Sequence, residues 1–277
     1  MKTLYLSDLD GTLFTPDAHI SDFTAENINR LVENGLHFSI ATARTAVTVR
    51  KLLAPLHLKL PVILMNGVCL YDPAASRAVY TETIPAPALH ALLDAVHACG
   101  AGGFLYVQSA NGVDAFYERV DSPQAAAFMN ERRDVYGKKF YQIADLHACP
   151  DRNALYFTYT GPVEKLRPLE EAACGIAGIR MEFYQNVYHS QSYFMEVCSA
   201  AASKRSAAQR LRALYGFDEL VGFGDNLNDL PLFEACDRCY AVQNASDAVK
   251  ACATGIIDAN TDDGVVRFLL RETNAAH

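Results

Sequence analysis

The apolar run Thr3-Leu4-Tyr5-Leu6-Ser7 stops abruptly at Asp8-Leu9-Asp10-Gly11-Thr12, and this change constrains the chain more than any other stretch. A short apolar segment ending in two acids, a glycine and a hydroxyl reads as a buried strand that delivers polar groups at its carboxyl end. Alternation along an extended backbone points Asp8 and Asp10 to the same side. Two carboxylates so crowded repel each other and need a cation, a shared proton or a chemical use. The first can attack an electrophile, and the second can carry a proton to or from a leaving oxygen if a metal absorbs the excess charge. Gly11 permits a tight turn, and Thr12 can donate a hydroxyl hydrogen bond or begin the next element. By itself the stretch is equally a strand-ending turn.

The same grammar recurs downstream. Ser21 or Thr24 caps a helical stripe of Phe23, Ile28, Leu31 and Val32, which Asn34-Gly35 ends. Leu36 to Ala41 is a second strand, tipped by Thr42-Ala43-Arg44-Thr45. A hydroxyl beside a helix start suits a phosphoryl oxygen, although Thr42 or Thr45 serves equally as an N-cap. Val62 to Met65 is a third strand, closed by Asn66-Gly67. Strands and helices alternating at this spacing predict parallel α/β units, whose right-handed crossovers place all three tips on one edge.

Ile84-Pro85-Ala86-Pro87 reads as a hinge, because its prolines oppose continuation of a strand. Helices near 88–99, 123–132 and 163–173 and strands near 103–108, 154–159 and 180–184 then make a separate α/β layer with a partly antiparallel sheet. Tyr193 to Val197 is strand-like and is expected to resume the first pattern. Ser203-Lys204 leads into a helix through Leu214, and Leu220 to Gly224 runs into Asp225-Asn226-Leu227-Asn228-Asp229, another apolar strand tipped with acids. The expected organisation is a core in two parts, 1–84 and 189–277, interrupted by a domain at 85–188.

A chain of 277 residues with 51% hydrophobic and 20% charged content fits two ordinary globular cores. A net charge of -8 supplies no basic surface for a nucleic-acid polymer, yet allows a small anion to be held locally. Neither a secretory segment nor a membrane span is expected. Eight cysteines without an export signal are expected to be free thiols in a reducing cytoplasm. Cys236-Asp237-Arg238-Cys239 lacks the second cysteine pair or clustered histidine of a zinc pattern and reads as structural.

Pooled, the strand tips offer Asp8, Asp10, Thr42, Asn66, Lys204, Asp225, Asn228 and Asp229. Four carboxylates, a lysine and neutral donors suit a hard divalent cation plus an anion better than a bare anion. Asp8 and Asp225 would supply oxygen ligands to magnesium, with a phosphate oxygen, a backbone carbonyl and waters completing an octahedron. Lys204 can pair with the attacking carboxylate and the phosphate, although alone it would be an unexceptional surface lysine.

In this order and spacing, Asp8-Leu9-Asp10-Gly11-Thr12, Thr42-Ala43-Arg44, Lys204 and Gly224-Asp225-Asn226-Leu227-Asn228-Asp229 resemble the haloacid-dehalogenase-like phosphatases, and among them the Cof-type group of subfamily IIB. Asn66-Gly67, Asn244-Ala245 and Asp263-Gly264-Val265 match that group's smaller signatures. The resemblance spans the whole chain and implies a Rossmann-like parallel-sheet core with an inserted α/β cap domain of the C2B type. It implies that Asp8 is the nucleophile forming an aspartyl-phosphate, and that Asp10 protonates the leaving alcohol and then activates water. Mg2+ would be held by the Asp8 side chain, the Asp10 backbone carbonyl and Asp225, with Asp229 acting through water or from behind the ligands. Thr42, Lys204 and Asn228 would bind the phosphoryl group; Arg44, Asn66, Glu182, Tyr184, Tyr188 and His189 are candidate substrate contacts.

The implied protein is a cytoplasmic, magnesium-dependent phosphomonoesterase acting on sugar phosphates or similar small phosphorylated metabolites. No membrane and no obligate protein partner are expected. A phosphotransferase or phosphomutase sharing the intermediate and a non-catalytic phosphate-sensing module are the rivals. Ala43 stands where glycine is common, Arg205 replaces a frequent glycine after the lysine, and Gln243 lies where a small residue usually precedes Asn244. None of the three removes a reacting group.

Overall fold

A computed structural model describes residues 1–109, 112–149, 153–185 and 192–275. The chain divides into two compact units, Met1–Tyr80 together with Ser203–His277, and Thr81–Ala202. The first unit contains β1 (Thr3–Ser7), α1 (Asp22–Glu33), β2 (His37–Ile40), α2 (Ala46–Leu52), β3 (Val62–Leu64), β4 (Cys69–Asp72) and β5 (Arg77–Thr81). The second contains α3 (Ala86–Ala98), β6 (Phe104–Ser109), β7 (Gly112–Tyr117), α4 (Pro123–Asp134), β8 (Phe140–Gln142), β9 (Ala154–Gly161), α5 (Val163–Ala173), β10 (Ile179–Gln185) and β11 (Tyr193–Ser199). The first unit then continues with α6 (Lys204–Tyr215), β12 (Glu219–Gly224), α7 (Leu230–Phe233), β13 (Arg238–Val242), α8 (Asp247–Cys252), β14 (Gly255–Ile257) and α9 (Gly264–Ala275).

In the first unit β14-β13-β12-β1-β2 form a five-stranded sheet with every pairing parallel. Parallel strands covered on both faces read as continuous apolar runs. That is why β1 and β12 were visible: Leu4, Leu6, Leu220, Val221 and Phe223 are all fully buried. Ala207, Ala208 and Leu211 of α6 share a core with Leu4, Leu6 and Leu220. A single parallel bridge, Ala41 to Ile63, continues the sheet towards β3, which also starts the three-stranded sheet β3-β4-β5. Because β1 lies between β12 and β2 with Ser7 opposite both Phe223 and Ile40, the segments carrying Asp8, Thr42 and Asp225 leave the sheet at one edge. Ser21 caps α1, its hydroxyl accepting the Thr24 N–H.

The second unit is built on a six-stranded sheet in the order β10-β11-β9-β6-β7-β8, antiparallel except between β7 and β8. One face buries Leu105, Val107, Phe157, Tyr159, Met195 and Val197 with Leu89, Leu92 and Leu93 of α3 and Leu166 and Leu169 of α5. The strand at Tyr193 was expected to resume the parallel core. It instead pairs with β10 and β9 in the inserted sheet, and the units divide between Ala202 and Ser203. Its alternation explains the difference: Met195 and Val197 are buried while Phe194 and Glu196 are half-buried, the habit of an antiparallel strand rather than a doubly covered parallel one.

All eight cysteines are free. No helix among the described residues is long and apolar enough to cross a membrane.

Candidate active site

Asp8 is the first residue beyond β1, and its N–H donates to the carbonyl of Phe223 on β12 at 3.0 Å. The neighbouring strand thereby fixes the backbone that carries the carboxylate, which is buried. Lys204, the first residue of α6 and only 1% exposed, places Nζ 2.6 Å from Asp8 Oδ1 and 2.6 Å from Asp229 Oδ1. The other oxygen of Asp229 accepts the N–H groups of Asp225 at 3.0 Å and Asn226 at 3.1 Å. Asp225 Oδ1 accepts the Thr12 hydroxyl at 2.8 Å. One carboxylate oxygen from each of Asp8, Asp225 and Asp229 lies within 4.8 Å of the others.

The charges in this cluster are unequal in number. Burial pushes the Asp8 carboxyl well up, Lys204 pulls it back, and Asp229 and Asp225 add to the rise. For Lys204 burial alone would favour the neutral amine, but Asp229 and Asp8 outweigh it and hold the ammonium protonated. Burial pushes Asp225 up to about 6, with the Thr12 hydrogen bond opposing and Asp229 adding. One ammonium for three acids leaves a demand for further positive charge. An all-oxygen donor set at this spacing meets the requirement of a hard divalent cation, so the residues fit a metal site.

Two glycines make the convergence possible. Gly11 has φ +80°, and a Cβ there would lie 2.4 Å from Asp225 Oδ2. Gly67, at φ +102°, would place a Cβ 2.1 Å from the Ser203 carbonyl, directly before Lys204. No side chain fits either approach. Asn244 secures the loop after β1, donating Nδ2 to the Gly11 carbonyl at 2.7 Å while its Oδ1 accepts the Asn260 N–H at 3.0 Å. Asn260 Nδ2 in turn donates to the Phe14 carbonyl at 2.8 Å. In the sequence Asn244 stands out only within Asn244-Ala245, and Asn260 not at all, because a neutral amide carries no local signal of such a role.

The other expected residues are more dispersed. Thr42 is buried, its N–H donating to Ile63, its carbonyl accepting from Asn66 and its hydroxyl accepting the Arg44 N–H. Arg44 grips Asp10 through Nε to Oδ2 at 2.7 Å and Nη2 to Oδ1 at 2.6 Å. The Asp10 carboxylate is therefore outside the three converging oxygens. Asn66, with φ 51°, is buried in the turn after β3, and Asn228 is half-buried in the turn Leu227–Asp229. On the inserted sheet Arg180 Nη1 donates to Glu182 Oε1 at 2.6 Å, and Tyr184 stands opposite Phe194 in the ladder. Tyr188 and His189 lie outside the described residues.

A parallel sheet with clustered acids at one edge, interrupted by a mixed sheet, is the arrangement of the haloacid dehalogenase-like hydrolases. The profile of that family matches residues 5–269, and the chain belongs to it. It is an enzyme of the phosphatase type, with a parallel-sheet core interrupted by an inserted mixed sheet. It is similar to the pyridoxal phosphate phosphatase YbhA of Escherichia coli, 27% identical over 269 residues that cover 95% of both chains. It is also similar to the 5-amino-6-(5-phospho-D-ribitylamino)uracil phosphatase YitU of Bacillus subtilis, 26% identical over 271 residues, covering 95% of this chain and 94% of the relative. A crystal structure from Thermotoga maritima shares the fold with a TM-score of 0.80 at 21% identity, over 98% of this chain and 97% of that one.

Proposed function

We propose that the protein is a cytoplasmic, magnesium-dependent phosphomonoester hydrolase that passes the phosphoryl group through Asp8. Its substrates are sugar phosphates or similar small phosphorylated metabolites. The observation that carries this reading is the buried Lys204 ammonium 2.6 Å from Asp8 in a cluster that also holds Asp225 and Asp229. A carboxylate fixed on a strand tip, screened on one side by an ammonium and flanked by further oxygen donors, is arranged for attack rather than for an ordinary turn.

An oxygen of Asp8 forms a bond to phosphorus as the ester P–O bond breaks, and Asp10, which takes up a proton from solvent on leaving Arg44, gives that proton to the leaving oxygen. Asp10 then takes a proton from water, the water oxygen attacks phosphorus, and inorganic phosphate leaves as the Asp8 carboxylate is restored. For both steps Asp10 exchanges its contact with Arg44 for the reacting groups. That exchange is cheap, because a pair with 24% and 50% side-chain exposure contributes only about 1 kcal/mol or less. Lys204 orients Asp8 and a phosphoryl oxygen, and Thr42 and Asn228 supply further donors. Magnesium held by Asp8, the Asp10 carbonyl and Asp225 would neutralise crowded charge and polarise phosphorus. Asp229, engaged by Lys204 and two backbone N–H groups, would support the site from behind.

The names of the two curated relatives cite pyridoxal phosphate and a phosphoribitylaminouracil, both small phosphorylated metabolites, which supports that substrate class. The test is phosphate release from a panel of sugar phosphates, phosphorylated cofactors and nucleotides, with and without Mg2+, and with Asp8→Asn as the blank. Magnesium-dependent release by the wild type alone is the expected result; none across the panel overturns the proposal. Label from water appearing in inorganic phosphate separates hydrolysis from transfer to a sugar hydroxyl.

A further inference from the structure

We propose that the inserted unit carries a second metal site, for a borderline transition cation of the zinc(II) class, built from His97, Asp145 and His147. His90 and Asp94 stand at its edge. Helix α3 places His90, Asp94 and His97 at spacings of four and three residues, so they share one helical face. The turn Leu146–Ala148 brings Asp145 and His147 to that face, because Leu146 is buried in the same core as Leu89, Leu92 and Leu93 of α3.

One potential ligand atom from each of His97, Asp145 and His147 lies within 4.8 Å of the others. His147 has a carboxylate on each nitrogen, Asp145 Oδ1 at 3.1 Å from Nδ1 and Asp94 Oδ1 at 3.2 Å from Nε2. The His97 and His90 rings lie 5.2 Å and 5.7 Å from the His147 ring, centroid to centroid. Glu118 supplies the support that metal-binding imidazoles usually have. Its Oε1 is 2.7 Å from His97 Nε2 and also accepts the Leu146 N–H at 2.7 Å. The Glu118 carboxylate thereby orients the His97 imidazole and steadies the turn bearing His147.

Donor chemistry separates this site from the acidic cluster of the core. Imidazole combined with carboxylate suits zinc, cobalt, nickel and copper, whereas magnesium prefers oxygen alone. A bound cation would tie α3 to the turn after β8, so the inserted unit gains stability from binding.

The experiment titrates Co2+ into the tag-free full chain carrying Asp225→Asn, with Mg2+ in excess, so that the core cluster does not dominate. The expected result is one equivalent of Co2+ with ligand-field absorption, no thiolate charge-transfer band and displacement by Zn2+. His97→Gln with His147→Gln is expected to weaken binding by more than about a hundredfold, and Glu118→Gln by about tenfold. Zn2+ should raise the melting temperature of the parent but not of the double variant. If the double variant is not folded by circular dichroism, the single His97→Gln variant is read in its place. Unchanged affinity in the variant, a thiolate band or no Co2+ binding by the parent each overturns the site.

Discussion

The core unit and the inserted unit hold acidic residues under opposite conditions. At the strand tips Asp8 and Asp229 are buried around one buried ammonium. On the inserted unit Asp94 and Asp145, with side chains 76% and 57% exposed, both meet His147, whose side chain is 26% exposed. Removing one member of a buried charge group strands the others at a cost of several kcal/mol, whereas an exposed pair is worth about 1 kcal/mol at most. The core cluster is thus costly to keep, a cost that the chemistry proposed for it would account for. The surface cluster costs almost nothing until a cation gathers its ligands.

The largest expected effect in the core is on turnover. Asp8→Asn keeps the backbone hydrogen bond to Phe223 but removes the attacking charge, so phosphate release should fall on the order of a thousandfold or more. A rate within about tenfold of wild type would remove Asp8 from the chemistry and erase the contrast in purpose. Next comes Lys204→Met, which leaves Asp8 and Asp229 facing each other without their cation. Urea melts of the metal-free protein should show a loss of about 3–5 kcal/mol. His147→Gln should cost less than about 0.5 kcal/mol under the same conditions. Equal losses would show that burial does not distinguish the two regions.

Asp225 sharpens the comparison through pH. Its folded value of about 6 lies above the usual 3.8, so its protonated form is favoured by folding. The stabilising contribution is complete below about pH 4 and is lost as pH rises through about 6. Mg2+ needs the ionised carboxylate, so binding should weaken as pH falls below that range, and added Mg2+ should cancel the stability loss at neutral pH. Calorimetric titration between about pH 5 and about pH 8 reads the trend. Affinity independent of pH would mean that Asp225 is not a ligand.

The core was legible because its strands announce themselves twice, by unbroken apolar runs and by acids at their ends. Parallel topology then does the rest, bringing Asp8 and Asp225 together across more than two hundred residues of sequence. What stayed hidden depends on packing rather than pattern. The alternation of Tyr193 to Val197 fits an antiparallel strand but does not name its neighbours, and hydrogen bonding to β9 and β10 decides. The grip of Arg44 on Asp10 joins two loops whose geometry no local spacing encodes. His97 and His147 look unrelated until Leu146 is placed against the α3 core, which is why no zinc pattern was expected.

The smallest effect tests whether burial or membership of the core is the governing variable. Arg44 and Asp10 belong to the core unit and make a bidentate contact, but their side chains are 24% and 50% exposed. If exposure governs, Arg44→Ala, Asp10→Asn and the double variant should give a coupling free energy of about 0.5–1 kcal/mol, diminishing with salt. The Lys204–Asp8 cycle should give several kcal/mol with little salt dependence. A coupling above about 3 kcal/mol for Arg44 and Asp10 would show that the strand-tip environment strengthens even half-exposed pairs. Asp10 would then be too firmly held by Arg44 to exchange partners cheaply, and its assignment to both proton transfers would fail with it.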